Sequence, residues 1–322
     1  MLTETLAQES LTDFGNDVRL GLTQKGQKEI PSKYLYDEVG SALFEVITVL
    51  PEYGLFRADE RLLRKNAERL AGAMPRRVTV AELGSGSGRK TFWMLEALAK
   101  RQPTVYHPIE ISANALNQLS RELGQMHNVD IRPVQQPYLE GLLSVAAGRS
   151  SGERLLVLFL GSSIGNFNGR ASEGFLAQLR QALIEGDALL LSTDLEKPVS
   201  QLLCAYDDPL GVTAAFNLNL LARINRELDA DFDLSGFRHV ARFDEQERRI
   251  EMHLLATRAQ TVAIPRALCS VSFVEGETIW TESSHKYCPK EIIEMGRRSG
   301  FRARQQWIDS EWAFAQTLFV AD

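Results

Sequence analysis

Cysteine is scarce: Cys204, Cys269 and Cys288 are the only three in 322 residues, and none belongs to a C-x-x-C pair. An odd, widely spaced set excludes a disulfide framework and a zinc knuckle. The five histidines form no H-E-x-x-H motif. His285 and Cys288 have the spacing of one helix face, but two ligands do not make a metal centre, and no metal is expected. Long apolar runs are also missing, so nothing reaches the ~20 uncharged residues that span a bilayer. The opening MLTETLAQESLTDFGN carries acids where a signal peptide needs an apolar segment. Excess positive charge is absent too: 36 lysines and arginines stand against 42 aspartates and glutamates, a net charge of −6. That balance lacks the basic footprint of a nucleic-acid binder. The expectation is a cytoplasmic protein with small-molecule chemistry and neither nucleic-acid nor membrane partners.

What is present is ordinary for a globular chain. Hydrophobic residues make up 44% and charged ones 24%, which excludes disordered, collagen-like and coiled-coil classes. The length suits two domains, or one domain with a large insertion. From residue 58, ADERLLRKNAERLAG places Leu62, Leu63, Ala67 and Leu70 on one helical face. Five short apolar runs follow, VTVAEL (78–83), TVYHPIEI (104–111), VDIRPV (129–134), RLLVLFL (154–160) and ALLLSTD (188–194), each bounded as a buried parallel strand should be. Helical stretches near 90–100, 112–126, 139–146 and 172–184 lie between them. Strands alternating with helices mean a doubly wound α/β sheet.

After Asp194 the rhythm breaks: 199–228 reads as helices, 237–259 as a hairpin, and further strand-like pieces run to about 287. PKEIIEMGRRSGF then restores a helix, and RARQQWID and FAQTLFVA read as two last strands. The predicted organisation is a sheet domain over 57–195 and 288–322, with a second, α+β domain made of 1–56 and 196–287. The first 56 residues follow neither rhythm and are expected to pack with the insertion and lid the sheet.

The strongest chemical signal is Glu82-Leu-Gly84-Ser-Gly86-Ser-Gly88, between a strand and a helix. Glycines there allow positive φ and close approach of a ligand. Glu110, at the end of the second strand, is placed to accept hydrogen bonds from both ribose hydroxyls of a nucleoside. The spacing is G-x-G-x-G, not G-x-G-x-x-G, and a dinucleotide would need room for a pyrophosphate on the helix N-terminus. S-adenosylmethionine (SAM), which has no phosphate, fits better, and the closing helix and strand pair resembles the seven-stranded sheet of class I methyltransferases. A rival is Gly161-Ser162-Ser163-Ile164-Gly165, which satisfies the G-x-S-x-G of serine hydrolases, with Asp194, Asp207 and His253 or His285 following in hydrolase order. Against it, Asn166-Phe-Asn-Gly-Arg reads as a further turn rather than a helix, and no HGGG-like loop lies upstream.

Seven stretches carry a resemblance to one family: Tyr34-Leu-Tyr36-Asp-Glu-Val-Gly-Ser41, Leu50-Pro-Glu-Tyr53, Glu82-Leu-Gly-Ser-Gly86, Phe159-Leu-Gly-Ser-Ser-Ile-Gly-Asn166, Ala205-Tyr-Asp-Asp208, Gly211-Val-Thr-Ala-Ala-Phe-Asn217 and Arg226-Glu-Leu228. From about residue 17 to the C-terminus the chain resembles the histidine-specific Nα-methyltransferases of ergothioneine biosynthesis. The resemblance implies a class I methyltransferase fold with a second domain for substrate. It implies SAM as methyl donor, and three transfers to the α-amine of L-histidine that give the betaine hercynine. A sibling activity on another aromatic amino acid is the alternative within the family.

The same resemblance implies site residues. Gly84, Gly86, Lys90, Glu110 and Tyr138 fall at the cofactor. Tyr53, Asn166 and Tyr206 contact the amino acid, with Glu282 and Ser284 at the imidazole and Met252 beside it, while Tyr36 and Phe44 lie near the amine. A monomer is expected. One departure stands out: where the family has Gly-Asp-Phe after the third strand, with the Asp on adenine, this chain has Gln136-Pro137-Tyr138. Singly, several of these residues have plainer roles, Met252 as core, Asn166 as a turn residue and Lys90 as a solvated helix charge; their concurrence carries the functional reading.

Overall fold

The computed structural model describes residues 2–167 and 169–322. Its contacts divide the chain into two compact units, Met1–Tyr53 with Pro198–Ser284, and Gly54–Lys197 with His285–Asp322. In chain order, the first unit opens with α1 (Leu2–Thr23), β1 (Lys28–Glu29), a 3-10 turn (Ser32–Leu35) and α2 (Glu38–Val49). The second unit begins with α3 (Leu55–Ala73), β2 (Val78–Leu83), α4 (Phe92–Ala99), β3 (Thr104–Ile109), α5 (Ala113–Leu123) and β4 (Val129–Ile131). It continues through α6 (Tyr138–Ala147), β5 (Arg154–Phe159), a 3-10 turn (Ser163–Asn166), α7 (Gly169–Ala182) and β6 (Ala188–Asp194). The chain returns to the first unit for α8 (Val199–Tyr206), α9 (Val212–Leu228), β7 (Phe237–Asp244), β8 (Arg249–Ala256), β9 (Gln260–Ile264), β10 (Cys269–Phe273) and β11 (Thr278–His285). It ends in the second with α10 (Pro289–Arg298), β12 (Phe301–Asp309) and β13 (Phe314–Ala321).

The second unit is a seven-stranded sheet in the order β12-β13-β6-β5-β2-β3-β4. Strands β2 to β6 run parallel, and β13 is antiparallel to both neighbours. Every residue of β2 and β6 is buried, as an apolar strand covered on both faces must be. One face packs Leu142, Leu176, Leu179 and Ile292 against Val157, Phe159 and Leu189, the other packs Leu63, Leu70, Leu95 and Leu119 against Val80, Leu156 and Leu158. Strand order reverses between β2 and β5, so ligands of such a sheet bind outside the carboxyl ends of these two strands. The loops that leave those ends are Gly84–Gly88 and Gly161–Asn166. The strand rhythm predicts this doubly wound sheet, and the antiparallel β13 beside β6 agrees with the class I methyltransferase fold that the closing helix and strand pair resembles.

The first unit holds a mixed sheet in the order β1-β11-β8-β7 and a separate β9–β10 hairpin. Its core joins Phe14, Val18 and Leu22 of α1, Leu220 and Ile224 of α9, and Ile250, Leu254 and Ile279 of the sheet, all buried. Arg223 of α9 stacks its guanidinium over Phe14 and Tyr34 and donates to the Tyr34 carbonyl at 3.0 Å. The Tyr34 hydroxyl in turn donates to Asp17 at 2.8 Å. The N-terminal segment therefore packs with the inserted one, although its own periodicity did not reveal the two long helices.

Three local readings are corrected. His285 ends β11 and Cys288 is the N-cap of α10, so they share no helix face. The turn read over Asn166–Arg170 is shorter: Ser163–Asn166 is a 3-10 turn and α7 starts at Gly169, with Asn168 outside the described residues. Strand β4 stops at Ile131, because Arg132-Pro133 interrupts the ladder, and Val134 keeps only an isolated bridge to Ile109.

Candidate active site

In the sheet unit, β2 delivers the chain into Gly84, Gly86 and Gly88, with φ of 68°, 51° and 74°. These left-handed values suit glycine alone without strain. A Cβ on Gly84 would lie 2.8 Å from the Tyr138 hydroxyl, whereas one on Gly86 would meet open space. The loop is thus packed beneath by Tyr138, at the start of α6, and open above. Glu110 stands beside it after β3. Its Oε1 accepts from the Ile111 and Ser112 amides at 2.9 and 3.1 Å, and its Oε2 from the Gly86 amide at 3.4 Å. Burial raises the Glu110 carboxyl above its ordinary value, against the lowering effect of those amides. An acceptor held this firmly, with one oxygen satisfied and the other only by a long bond, suits a ligand that brings hydroxyl donors.

Below the loop, Glu82 is buried and accepts from Thr91 Oγ1 at 2.7 Å and from the Tyr106 hydroxyl. Desolvation pushes its carboxyl up to about 7. Lys90 is no solvated helix charge: its ammonium lies 2.8 Å from the fully buried Asp59. Gln136 turns its side-chain oxygen to Ser144 at 3.0 Å, and Pro137 is the N-cap of α6. Asn166 closes the 3-10 turn that follows β5 and is partly exposed.

The first unit brings most of the other expected residues together. Asp37 caps α2 by accepting from Gly40 N at 2.7 Å, and also accepts from Asn219 at 2.7 Å and from Arg226. Gly40 is required here, since a Cβ would come 1.8 Å from the Leu35 carbonyl oxygen. These contacts fix Tyr36, whose ring meets Phe44 and Phe216 at 5.4 and 5.5 Å between centroids. Phe44 meets Tyr53 at 6.4 Å, and Tyr53 meets Tyr206 at 6.1 Å. Polar groups border this aromatic row: the Tyr36 hydroxyl donates to Glu282 at 3.4 Å and the Tyr206 hydroxyl to Ser284 at 2.7 Å. Met252 is buried in β8, and its carbonyl accepts from Thr281 at 3.0 Å. Tyr36, Phe44, Tyr53, Tyr206, Glu282 and Ser284 therefore form one connected cluster.

The sequence pattern described as "Histidine-specific methyltransferase, SAM-dependent" matches residues 14–321. The chain belongs to that family. It is 40% identical to the histidine N-alpha-methyltransferase of Mycolicibacterium smegmatis, over 99% of this chain and 98% of that one. It is 41% identical to the enzyme of the same name from Mycobacterium tuberculosis, over 94% and 93%. Ergothioneine biosynthesis protein 1 of Neurospora crassa is 28% identical over 88% of this chain, which covers 32% of that longer protein. As a family member the chain is a SAM-dependent enzyme.

The hydrolase alternative loses its support in the geometry of this histidine-specific methyltransferase. Ser163 Oγ donates to the Leu160 carbonyl at 3.2 Å, and Ser162 Oγ accepts from the Asp194 amide at 2.8 Å. Asp194, the acid of the imagined triad, is ion-paired with Lys197 and Lys286 at 2.5 and 2.9 Å.

Several residues escaped the reading of the sequence. Phe216 completes the aromatic row, and only its place in Gly211–Asn217 hinted at it. His239 Nε2 lies 2.8 Å from the Tyr206 carbonyl, while its Nδ1 lies 2.9 Å from Asn217 Nδ2. Nε2 must carry the proton to donate to a carbonyl, so Nδ1 accepts from the amide and the ring is neutral. Burial lowers the His239 pKa in agreement with this state. No motif marks His239, whose work is done through Tyr206 rather than on a ligand, and Asn217, like Phe216, was hinted at only by its place in Gly211–Asn217.

Proposed function

We propose that this chain transfers the methyl group of SAM to the α-amine of L-histidine three times, giving hercynine. The observation that carries the reading is the polar quartet Tyr36, Glu282, Tyr206 and Ser284 along a row of aromatic rings. It offers hydrogen bonds to both polar ends of a small amino acid and apolar faces between them. SAM supplies a methyl group on a positively charged sulfur that leaves as a neutral thioether. The open glycine loop, with Glu110 beside it, fits the nucleoside part of that donor, and Glu110 accepts from the ribose hydroxyls. We assign the cofactor to Gly84, Gly86, Lys90, Glu110 and Tyr138, hence to the sheet unit. The amino acid is assigned to the aromatic and polar cluster of the first unit.

Positioning supplies most of the rate in such a transfer, about 7–11 kcal/mol when two reactants are held in a near-attack arrangement. Tyr206 holds the substrate carboxylate in this reading. Tyr206 donates to Ser284 in the structure; turning that hydroxyl to a carboxylate lets the Ser284 hydroxyl serve the imidazole. Glu282 accepts an imidazole N–H, and the Ser284 hydroxyl donates to the bare nitrogen of a neutral ring or accepts from the second N–H of a protonated one. As methyl groups accumulate the amine becomes a permanent cation, and the faces of Tyr36, Phe44 and Phe216 stabilise it by about 0.5–2 kcal/mol. We also propose a cytoplasmic monomer without nucleic-acid or membrane partners; the net charge of −6 supports only the lack of a nucleic-acid partner. Among the described residues no helix is long and apolar enough to cross a membrane.

The test is Glu282→Ala, read as the ratio of kcat/KM for histidine over tryptophan. A site built for a polar ring rejects apolar analogues because its own groups would stay buried and unpaired. The ratio should fall at least tenfold in the variant, about 1.4 kcal/mol of discrimination. An unchanged ratio would show that Glu282 does not read the side chain.

A further inference from the structure

Asp59 carries the most concentrated set of interactions outside the residues already assigned. It sits in the first turns of α3 and is fully buried. Its Oδ1 accepts from Ser192 Oγ at 2.6 Å and Gln316 Nε2 at 2.7 Å. Its Oδ2 accepts from Lys90 Nζ and from the Gly161 amide, both at 2.8 Å. Four donors saturate the acceptor capacity of a carboxylate. If packing were its only role, an apolar side chain would fill this place with no charge to desolvate. The positions of the donors show what the charge ties together. Ser192 and Gln316 belong to the sheet, whereas Lys90 and Gly161 belong to the two loops at the point where strand order reverses.

We propose that Asp59 is a positioning residue for the methyl donor, acting through the Lys90 ammonium and the Gly161 turn. The proposal rests on the reading of the glycine loop as the SAM site. Lysine has a long stem with much rotamer freedom, and ordering it in advance removes that cost from ligand binding. Asp59 does this, and the same oxygen ties Lys90 to the loop after β5. A Cβ on Gly161 would lie 3.1 Å from Lys90 Nζ, so the ammonium rests against the backbone at that turn. Gly161 and Ser162 both have left-handed backbone, φ of 72° and 62°. A non-glycine residue there persists only when its surroundings hold it. The Gly161 amide bond to Asp59 and the Ser162 hydroxyl bond to the Asp194 amide are those surroundings.

The experiment is calorimetric titration with S-adenosylhomocysteine, the demethylated donor, on the parent, Asp59→Asn, Lys90→Met and the double variant, with melting temperatures in parallel. Each single substitution should weaken binding at least tenfold. Because the two residues act as one unit, the double variant should be no more than about threefold worse than the weaker single. A lower melting temperature in Asp59→Asn with Kd within twofold of the parent would reduce Asp59 to a structural role and overturn the proposal, as would two effects that multiply in full. Should Asp59→Asn not fold, Gly161→Ala serves in its place. Its methyl group, 3.1 Å from Lys90 Nζ, crowds the same ammonium and strains the left-handed turn; binding should weaken at least tenfold, with no more than about threefold further loss when combined with Lys90→Met, and unchanged affinity would overturn the proposal. Failure of the parent itself to bind would overturn the cofactor reading, and this role with it.

Discussion

Replacing Glu110 gives a magnitude that can be worked from its hydrogen bonds. Oε1 is committed to the Ile111 and Ser112 amides, at 2.9 and 3.1 Å, while Oε2 has only the 3.4 Å contact from Gly86. Oε2 is therefore the oxygen with capacity to spare for a ribose hydroxyl. Hydrogen bonds to a charged group contribute about 1.5–3 kcal/mol, so Glu110→Ala should raise the Kd for S-adenosylhomocysteine roughly 10- to 150-fold. Glu110→Gln keeps one oxygen and is the finer probe. If that oxygen stays with the two amides, the side chain turns an NH2 where Oε2 was, and most of the alanine effect should appear. If the amide reverses, the ligand contact survives and the loop loses its anchors instead, which would show as a lower melting temperature with a smaller loss of affinity. Titration calorimetry on all three proteins, with thermal melts, separates these outcomes. Affinity within twofold of the parent in Glu110→Ala would refute the assignment of the ribose to this carboxylate.

Other consequences can be checked separately. Glu82 is raised from the ordinary 4.5 to about 7 by burial, so its contribution to stability is fully present below 4.5 and lost as pH rises through 7. The shift corresponds to about 3 kcal/mol. Urea denaturation should therefore show Glu82→Gln gaining on the parent by an amount of that order between about pH 4.5 and about pH 8; an equal difference at both values would refute it. The serines of Gly161–Gly165 should not react as nucleophiles, since their hydroxyls serve the backbone. A fluorophosphonate should leave the protein unlabelled by mass, and stoichiometric labelling at Ser163 would restore the hydrolase reading.

The sheet was legible because its physics is local. VTVAEL and ALLLSTD are each dominated by apolar residues, and a short run of that kind between turn signals has few other places to go. The glycine loop and Glu110 were legible for the same reason, since each follows directly from the end of a strand. The helices of the N-terminal segment were not, because α1 gains its burial from residues of the insertion more than two hundred positions away, and its own sequence mixes acids into the apolar stripe. Asp59 was hidden differently. In ADERLLRK it stands three and four residues before Leu62 and Leu63, on the same helix face, but nothing local says what would pair it there, because the partners that bury it, Lys90, Gly161, Ser192 and Gln316, are scattered along the chain. His239 shows the same limit, because a residue that positions another leaves no motif of its own.

If the aromatic row and its polar quartet are the amino-acid site, the enzyme methylates the α-amine of histidine to completion. The direct measurement is incubation with SAM and an equimolar mixture of the common amino acids, followed by mass analysis of every amino acid for added methyl groups. Histidine should disappear into a product bearing three added methyl groups on its α-nitrogen, while tryptophan, tyrosine and phenylalanine remain unmodified. Methylation of another amino acid ahead of histidine, or of none, would contradict this reading of the site.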